Sequence, residues 1–218
     1  MAIAPNIPDP DPEMPQVLHY LALGDSYTIG QSVDVNERWP VQLVQALNEN
    51  GGHVHDAEII AQTGWTTGEL KQGIEAVDPQ GPYDLVSLLI GVNNQFRGLD
   101  TAAYRLEFRE LLSLSISYAG NDTGRVIVVS IPDYGVTPFA QNMDTEKIAR
   151  EIDAFNAIKL NESRDAGVAF INVTPISRQA AQDSSLIADD GLHPSGRMYA
   201  KWVELILPVA KEMVENPQ

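Results

Sequence analysis

The sequence predicts one three-layer α/β domain built on a five-stranded parallel sheet. Three observations carry that expectation. Five short apolar runs alternate along the chain with stretches whose apolar residues recur at helical spacing. The runs are apolar at almost every position, which is the pattern of strands covered on both faces. The 218 residues contain no internal repeat and no internal linker, so one domain accommodates them.

The elements follow in order. "VLHYLAL" (17–23) is a compact apolar run ending at Gly24, the first strand. Trp39, Leu43, Val44 and Leu47 then recur at helical spacing until Gly51-Gly52 stops them. "AEIIAQ" (57–62) is the second strand. Leu70, Ile74 and Val77 mark the next helix, with Thr66 and Glu69 at capping-box spacing before it. "DLVSLLIG" (84–91) is the third strand, and Tyr104, Phe108, Leu111 and Leu112 line the helix that follows. "RVIVVSIP" (125–132) is the fourth strand. Ile148, Ile152, Phe155 and Ile158 define a long helix ended by Gly167, and "VAFINV" (168–173) is the fifth strand. Met198, Trp202, Leu205, Ile206 and Val209 give the last helix its apolar face.

Composition removes several classes of function. Thirty acidic residues face fourteen basic ones, a formal net charge of −16 with a pI near 4.4. Such a surface repels phosphate backbones and anionic membranes, so nucleic acid is not an expected partner. There is no cysteine, which excludes disulfides, thiolate zinc sites and cysteine nucleophiles. No apolar run approaches the roughly 20 residues of a bilayer span, and no His/Asp/Glu cluster has metal-ligand spacing. Residues 1–16, "MAIAPNIPDPDPEMPQ", read as an extended acidic, proline-rich arm before a single domain at 17–218. They lack the basic start and apolar middle of a signal peptide. The default expectation is a cytoplasmic protein, an exported mature form without its leader being the other reading.

The polar residues of interest stand directly after strands. Gly24-Asp25-Ser26 follows the first, Thr63-Gly64-Trp65-Thr66 the second and Gly91-Val92-Asn93-Asn94 the third. Asp189-Asp190-Gly191-Leu192-His193-Pro194 precedes the last helix. In a parallel sheet these loops open on one edge. Each group has a role that acyl transfer needs. The Ser26 hydroxyl is a nucleophile once a base takes its proton. His193 is the candidate base, imidazoles in general ionising near neutral pH. Asp190, three residues before His193, is spaced to fold back on the ring and fix its tautomer; Asp189 is a rival that this spacing disfavours. The backbone N–H groups of Ser26 and Gly64 and the side-chain amide of Asn93 are candidate donors to an oxyanion.

"GDSY", the glycine after the second strand, "GVNN" and "DGLHP" resemble, in order and placement, the four blocks of the SGNH (GDSL-type) esterases and lipases. The resemblance runs from about Leu18 to the last helix. Each block alone is weak: Ser26 by itself reads as a helix cap and His193 as a surface residue. The resemblance implies a flavodoxin-like sheet and hydrolysis through an acyl-serine at a shallow open site, without a cofactor. It matches Ser26, Gly64, Asn93 and His193 to the family's four named positions, with Asp190 completing a triad. Two positions depart from the pattern. Tyr27 stands where leucine is usual, and Asn94 stands where aspartate is more often found, a change expected to affect how the loop is braced.

Trp65, Asn94 and Tyr134 are candidates for the substrate pocket, Trp65 having packing against a neighbouring loop as its other reading. His19, His53 and His55 lack a carboxylate pattern and read as structural or exposed. Gly24 and Gly30 read as turn residues, no Walker-type lysine motif being present. The expected activity is a serine carboxylic-ester hydrolase acting on a small-molecule ester. The chain has little room for a helical lid, so short, acetyl-type acyl groups are favoured. An acyltransferase using the same acyl-serine and a non-catalytic binding domain are the alternatives.

Overall fold

The structure, a computed structural model, describes residues 17–215; the N-terminal arm lies outside the described residues. The elements are β1 (Tyr20–Gly24), α1 (Ser26–Ile29), α2 (Trp39–Glu49), β2 (Glu58–Ala61), α3 (Thr67–Val77), β3 (Leu85–Leu89) and α4 (Val92–Phe96). They continue with α5 (Thr101–Tyr118), β4 (Val126–Val129), α6 (Thr145–Asp165), β5 (Ala169–Ile171), α7 (Thr174–Arg178) and α8 (Gly196–Glu215). The strands form one parallel sheet in the order β2-β1-β3-β4-β5. Helices α2 and α8 pack together on one face, and α3, α5 and α6 succeed one another on the other.

The near-continuous apolar runs behave as their composition requires. β1, β3 and β4 are buried at every position. The edge strands β2 and β5 are shorter than their apolar runs and only partly covered, because each has a neighbour on one side alone. Trp39 and Trp202, both fully buried, fill the space between α2, α8 and the sheet. The Thr66–Glu69 capping box forms at the start of α3, and Gly167, at φ +72°, stands just past the end of α6. Two of the apolar helix positions expected from the sequence do not face the core: Val77, the last residue of α3, and Leu205 on α8 are exposed. Among the described residues no helix is long and apolar enough to cross a membrane.

Register decides where the loops emerge. Gly24 pairs with Ala61 on one side and Leu89 on the other, so β1, β2 and β3 end level. Gly24 itself is required there, since any side chain would run into the Thr28 hydroxyl and the Leu89 carbonyl. The chain therefore leaves three adjacent strands at one edge, with Ser26, Gly64 and Asn93 within a few residues of the exits.

Candidate active site

Ser26 opens α1, a single turn set by its flanks. The Asp25 carboxylate accepts a hydrogen bond from the Tyr27 N–H at 3.0 Å, and Gly30 ends the turn in the left-handed region at φ +70°. Gly64 sits at φ +87°, a conformation that favours glycine. Its carbonyl accepts from the Arg97 guanidinium at 2.6 Å, and that guanidinium also reaches Glu69 at 3.2 Å, so the Gly64 peptide plane is fixed. Among the described residues neither the Ser26 nor the Gly64 backbone N–H has a hydrogen-bond partner. Asn93 lies in α4, and one N–H of its amide donates to the Trp65 carbonyl at 2.9 Å. A carboxamide has two such donors, and among the described residues the second has no partner.

His193 is held by a tight loop. The Ala188 N–H donates to the His193 carbonyl at 2.8 Å, Ile187 bridges Pro194, and Phe139 donates to the Gly191 carbonyl at 3.0 Å. His193 Nδ1 lies 2.6 Å from Asp190 Oδ2. A carboxylate only accepts, so Nδ1 carries the proton and Nε2 is left as the acceptor. Asp190 Oδ1 takes the backbone N–H groups of Leu192 and His193, both at 2.9 Å. Oδ2 takes a further hydrogen bond at 2.6 Å from Ser32, a non-glycine residue held at φ +67°. Burial pushes the Asp190 carboxyl upward, but these donors outweigh it and leave it well below the ordinary carboxylate range. The His193 ring packs edge-on against Tyr27, with ring centroids 5.6 Å apart.

Ser26 and His193, 5% and 7% exposed, line one open cavity of about 150 Å³ together with Gly64 and Asn93. Among the described residues no hydrogen bond joins the two side chains, a common state of catalytic pairs without substrate. The rest of the wall is mostly apolar. Val92, Phe96, Tyr134, Phe139 and Leu192 face the cavity, and Phe96, Tyr134 and Phe139 form an aromatic cluster with centroids 6.0–6.4 Å apart. Phe96 and Phe139 remain 52% and 43% exposed at its rim.

The structure thus gathers Ser26, Gly64, Asn93, Asp190 and His193 and puts Tyr134 in the pocket wall. Two sequence candidates are corrected. Trp65 does not line the cavity: its indole lies on Gly73 of α3, where even a methyl group would collide with it. Only its carbonyl serves the site, through Asn93. Asn94 is 1% exposed and points away from the cavity. It accepts from the Thr67 N–H at 3.0 Å and donates to the Thr67 hydroxyl at 2.6 Å, tying the loop to the start of α3. Phe96, Phe139, Ser32 and Arg97 were not singled out from the sequence. His19, His53 and His55 are exposed and lie apart from the cavity.

These residues gather where β1, β2 and β3 end, at the open edge of a five-stranded parallel sheet with helices on both faces. Residues 22–201 match the model of the GDSL-like lipase/acylhydrolase family, and the chain belongs to that family. It is a carboxylic-ester hydrolase by class. Solved structures with the same fold include TesA, at 17% identity and TM-score 0.71, covering 91% of this chain and 99% of that one. EstA from Pseudoalteromonas sp., solved inhibited by monoethylphosphonate, is 18% identical at TM-score 0.68, covering 91% and 99%. A mutant of Axe2, an acetyl-xylooligosaccharide esterase from Geobacillus, is 18% identical at TM-score 0.65, covering 88% and 94%. No curated protein matches the sequence.

Proposed function

We propose that the protein hydrolyses short-chain carboxylic esters through an acyl-serine intermediate. The observation that carries this reading is the 2.6 Å contact between Asp190 and His193 Nδ1, which leaves Nε2 as the acceptor on a ring that lines the same cavity as Ser26. Ser26 Oγ attacks the ester carbonyl carbon while Nε2 takes its proton. The Ser26 and Gly64 N–H groups and the Asn93 amide donate hydrogen bonds to the carbonyl oxygen as negative charge builds on it. The tetrahedral adduct collapses, the alcohol leaves with the proton from His193, and the acyl group stays on Ser26. Water then attacks the acyl-enzyme with His193 again as base, releasing the acid and restoring the hydroxyl.

The acyl side is read from size and chemistry. An apolar cavity on the order of 150 Å³ holds a ligand the size of benzene. The cavity beside Ser26 has this volume and an aromatic wall, so acyl groups of up to about six carbons fit, acetyl included. Each CH₂ buried against that wall adds about 0.8 kcal/mol until it is full. On p-nitrophenyl esters, kcat/KM should rise from C2 to C4 or C6 and fall by at least tenfold at C16. A rate still rising at C16 would refute the short-chain assignment. A fluorophosphonate probe followed by peptide mapping tests the chemistry: the phosphonyl group should be found on Ser26, and a label elsewhere would displace this residue from its role. EstA's inhibition by a phosphonate supports the choice of probe.

A further inference from the structure

The reaction above makes no use of Lys159, although the residue is unusual. It lies on α6, fully buried, with its Nζ 5.7 Å from the centre of the Phe108 ring. Ammonium groups are almost never buried without a task that offsets their desolvation. Burial pushes this one down to about 7, with Asp25 the charge opposing that shift. Its Nζ donates to the Val129 carbonyl at 2.6 Å and to the Ile90 carbonyl at 3.2 Å.

Those two carbonyls stand where the sheet divides. The β3–β4 ladder ends at Leu88 and Val128, and the chains part immediately beyond. Buried carbonyls that lose their ladder partners are costly, and an ammonium with several donors can serve both at once. The Ile90 carbonyl also accepts from the Tyr104 hydroxyl at 3.4 Å. The next residue, Gly91, is at φ +124°, and a side chain there would meet that hydroxyl at 2.5 Å. Two residues further comes Asn93. Lys159 therefore grips, from the buried side, the peptide from which the donor loop departs.

We propose that Lys159 is a positioning residue of the hydrolase: by clamping the Ile90 and Val129 carbonyls across the split between β3 and β4, it fixes the Gly91–Asn93 loop so that the Asn93 amide faces the oxyanion. The inference rests on the ester-hydrolase reading. Lys159 touches no substrate and acts only through the backbone it holds. Its loss should accordingly weaken transition-state binding and leave ground-state binding nearly unchanged.

The test is a double-mutant cycle on p-nitrophenyl butyrate. Lys159→Met should lower kcat roughly 10- to 100-fold, the scale of a misplaced catalytic group, with KM within about twofold. Asn93→Ala should lower it about 10²- to 10³-fold. The double variant should be no more than about threefold slower than Asn93→Ala alone, since the clamp then has nothing left to aim. Lys159→Gln, which keeps an N–H donor one bond short of the ammonium, should fall between wild type and Lys159→Met. It replaces the latter in the cycle if Met is not tolerated. Losses that multiply, or an unchanged kcat in Lys159→Met, would overturn the proposal, as would unfolding of both Lys159 variants. Ser26→Ala measured alongside keeps the two readings separate. A wild-type rate in that variant sinks the hydrolase reading, whereas multiplying losses with an inactive Ser26→Ala sink the clamp alone.

Discussion

Ser26→Ala is expected to lower kcat on a short p-nitrophenyl ester by about 10⁶-fold, the scale seen when the nucleophile of a triad is removed. The protein should stay folded. Alanine suits the first turn of a helix, and the cap of α1 is supplied by Asp25 rather than by the serine. The change in unfolding free energy should therefore stay within about 1 kcal/mol. What remains in the variant is the set of donors around the carbonyl oxygen, which alone gives a modest rate above water. Single-turnover kinetics would show the acyl burst disappear. A residual rate within tenfold of wild type would remove Ser26 from the chemistry.

Asp190→Asn should cost about 10⁴-fold in kcat with little change in KM. The carboxylate accepts four hydrogen bonds, from Ser32, from the His193 ring and from two backbone N–H groups. A carboxamide accepts on one side only, so its NH₂ would face a ring or hydroxyl donor and turn the imidazole to the wrong tautomer. The sign of the acid dependence follows from the lowered carboxyl. Its folded-state pKa lies below the unfolded value of about 3.9. The carboxylate's contribution to stability is thus fully present above about pH 4 and is lost as pH falls further, through the folded value. Wild type should lose stability in that window relative to Asp190→Asn, which has no such proton to take up. Equal acid slopes in the two proteins would contradict the hydrogen-bond geometry.

Much of this site was legible because its blocks are local. Gly24-Asp25-Ser26 and Asp190-x-x-His193 each place their chemistry within one turn, and near-continuous apolar runs and period-3.6 patterning located the strands and helices beside them. What escaped was whatever depends on contacts between distant segments. Phe96 and Phe139 look like stray apolar residues until α4 and the segment after β4 bring them beside Tyr134. Ser32 carries no signal of its own, its strained backbone and its bond to Asp190 being products of the folded loop. Trp65 was a reasonable pocket candidate from its place beside Gly64. Gly73 overrode that, since a glycine on α3 opens a flat seat for the indole, which does not line the cavity. Lys159 reads in the sequence as one more polar position on α6, and its burial follows from the parting of β3 and β4.

The unequal anchoring of the two reacting groups bears on heat tolerance. Ser26 hangs from β1, which has a strand hydrogen-bonded on either side, whereas the loop of His193 lies outside the sheet and is fastened by one isolated bridge, loop backbone bonds and the Asp190 carboxylate. Segments held outside the sheet ladder open locally below the midpoint of global melting. On warming, turnover should fade while the far-ultraviolet circular dichroism is still native, and it should return on cooling because the sheet never came apart.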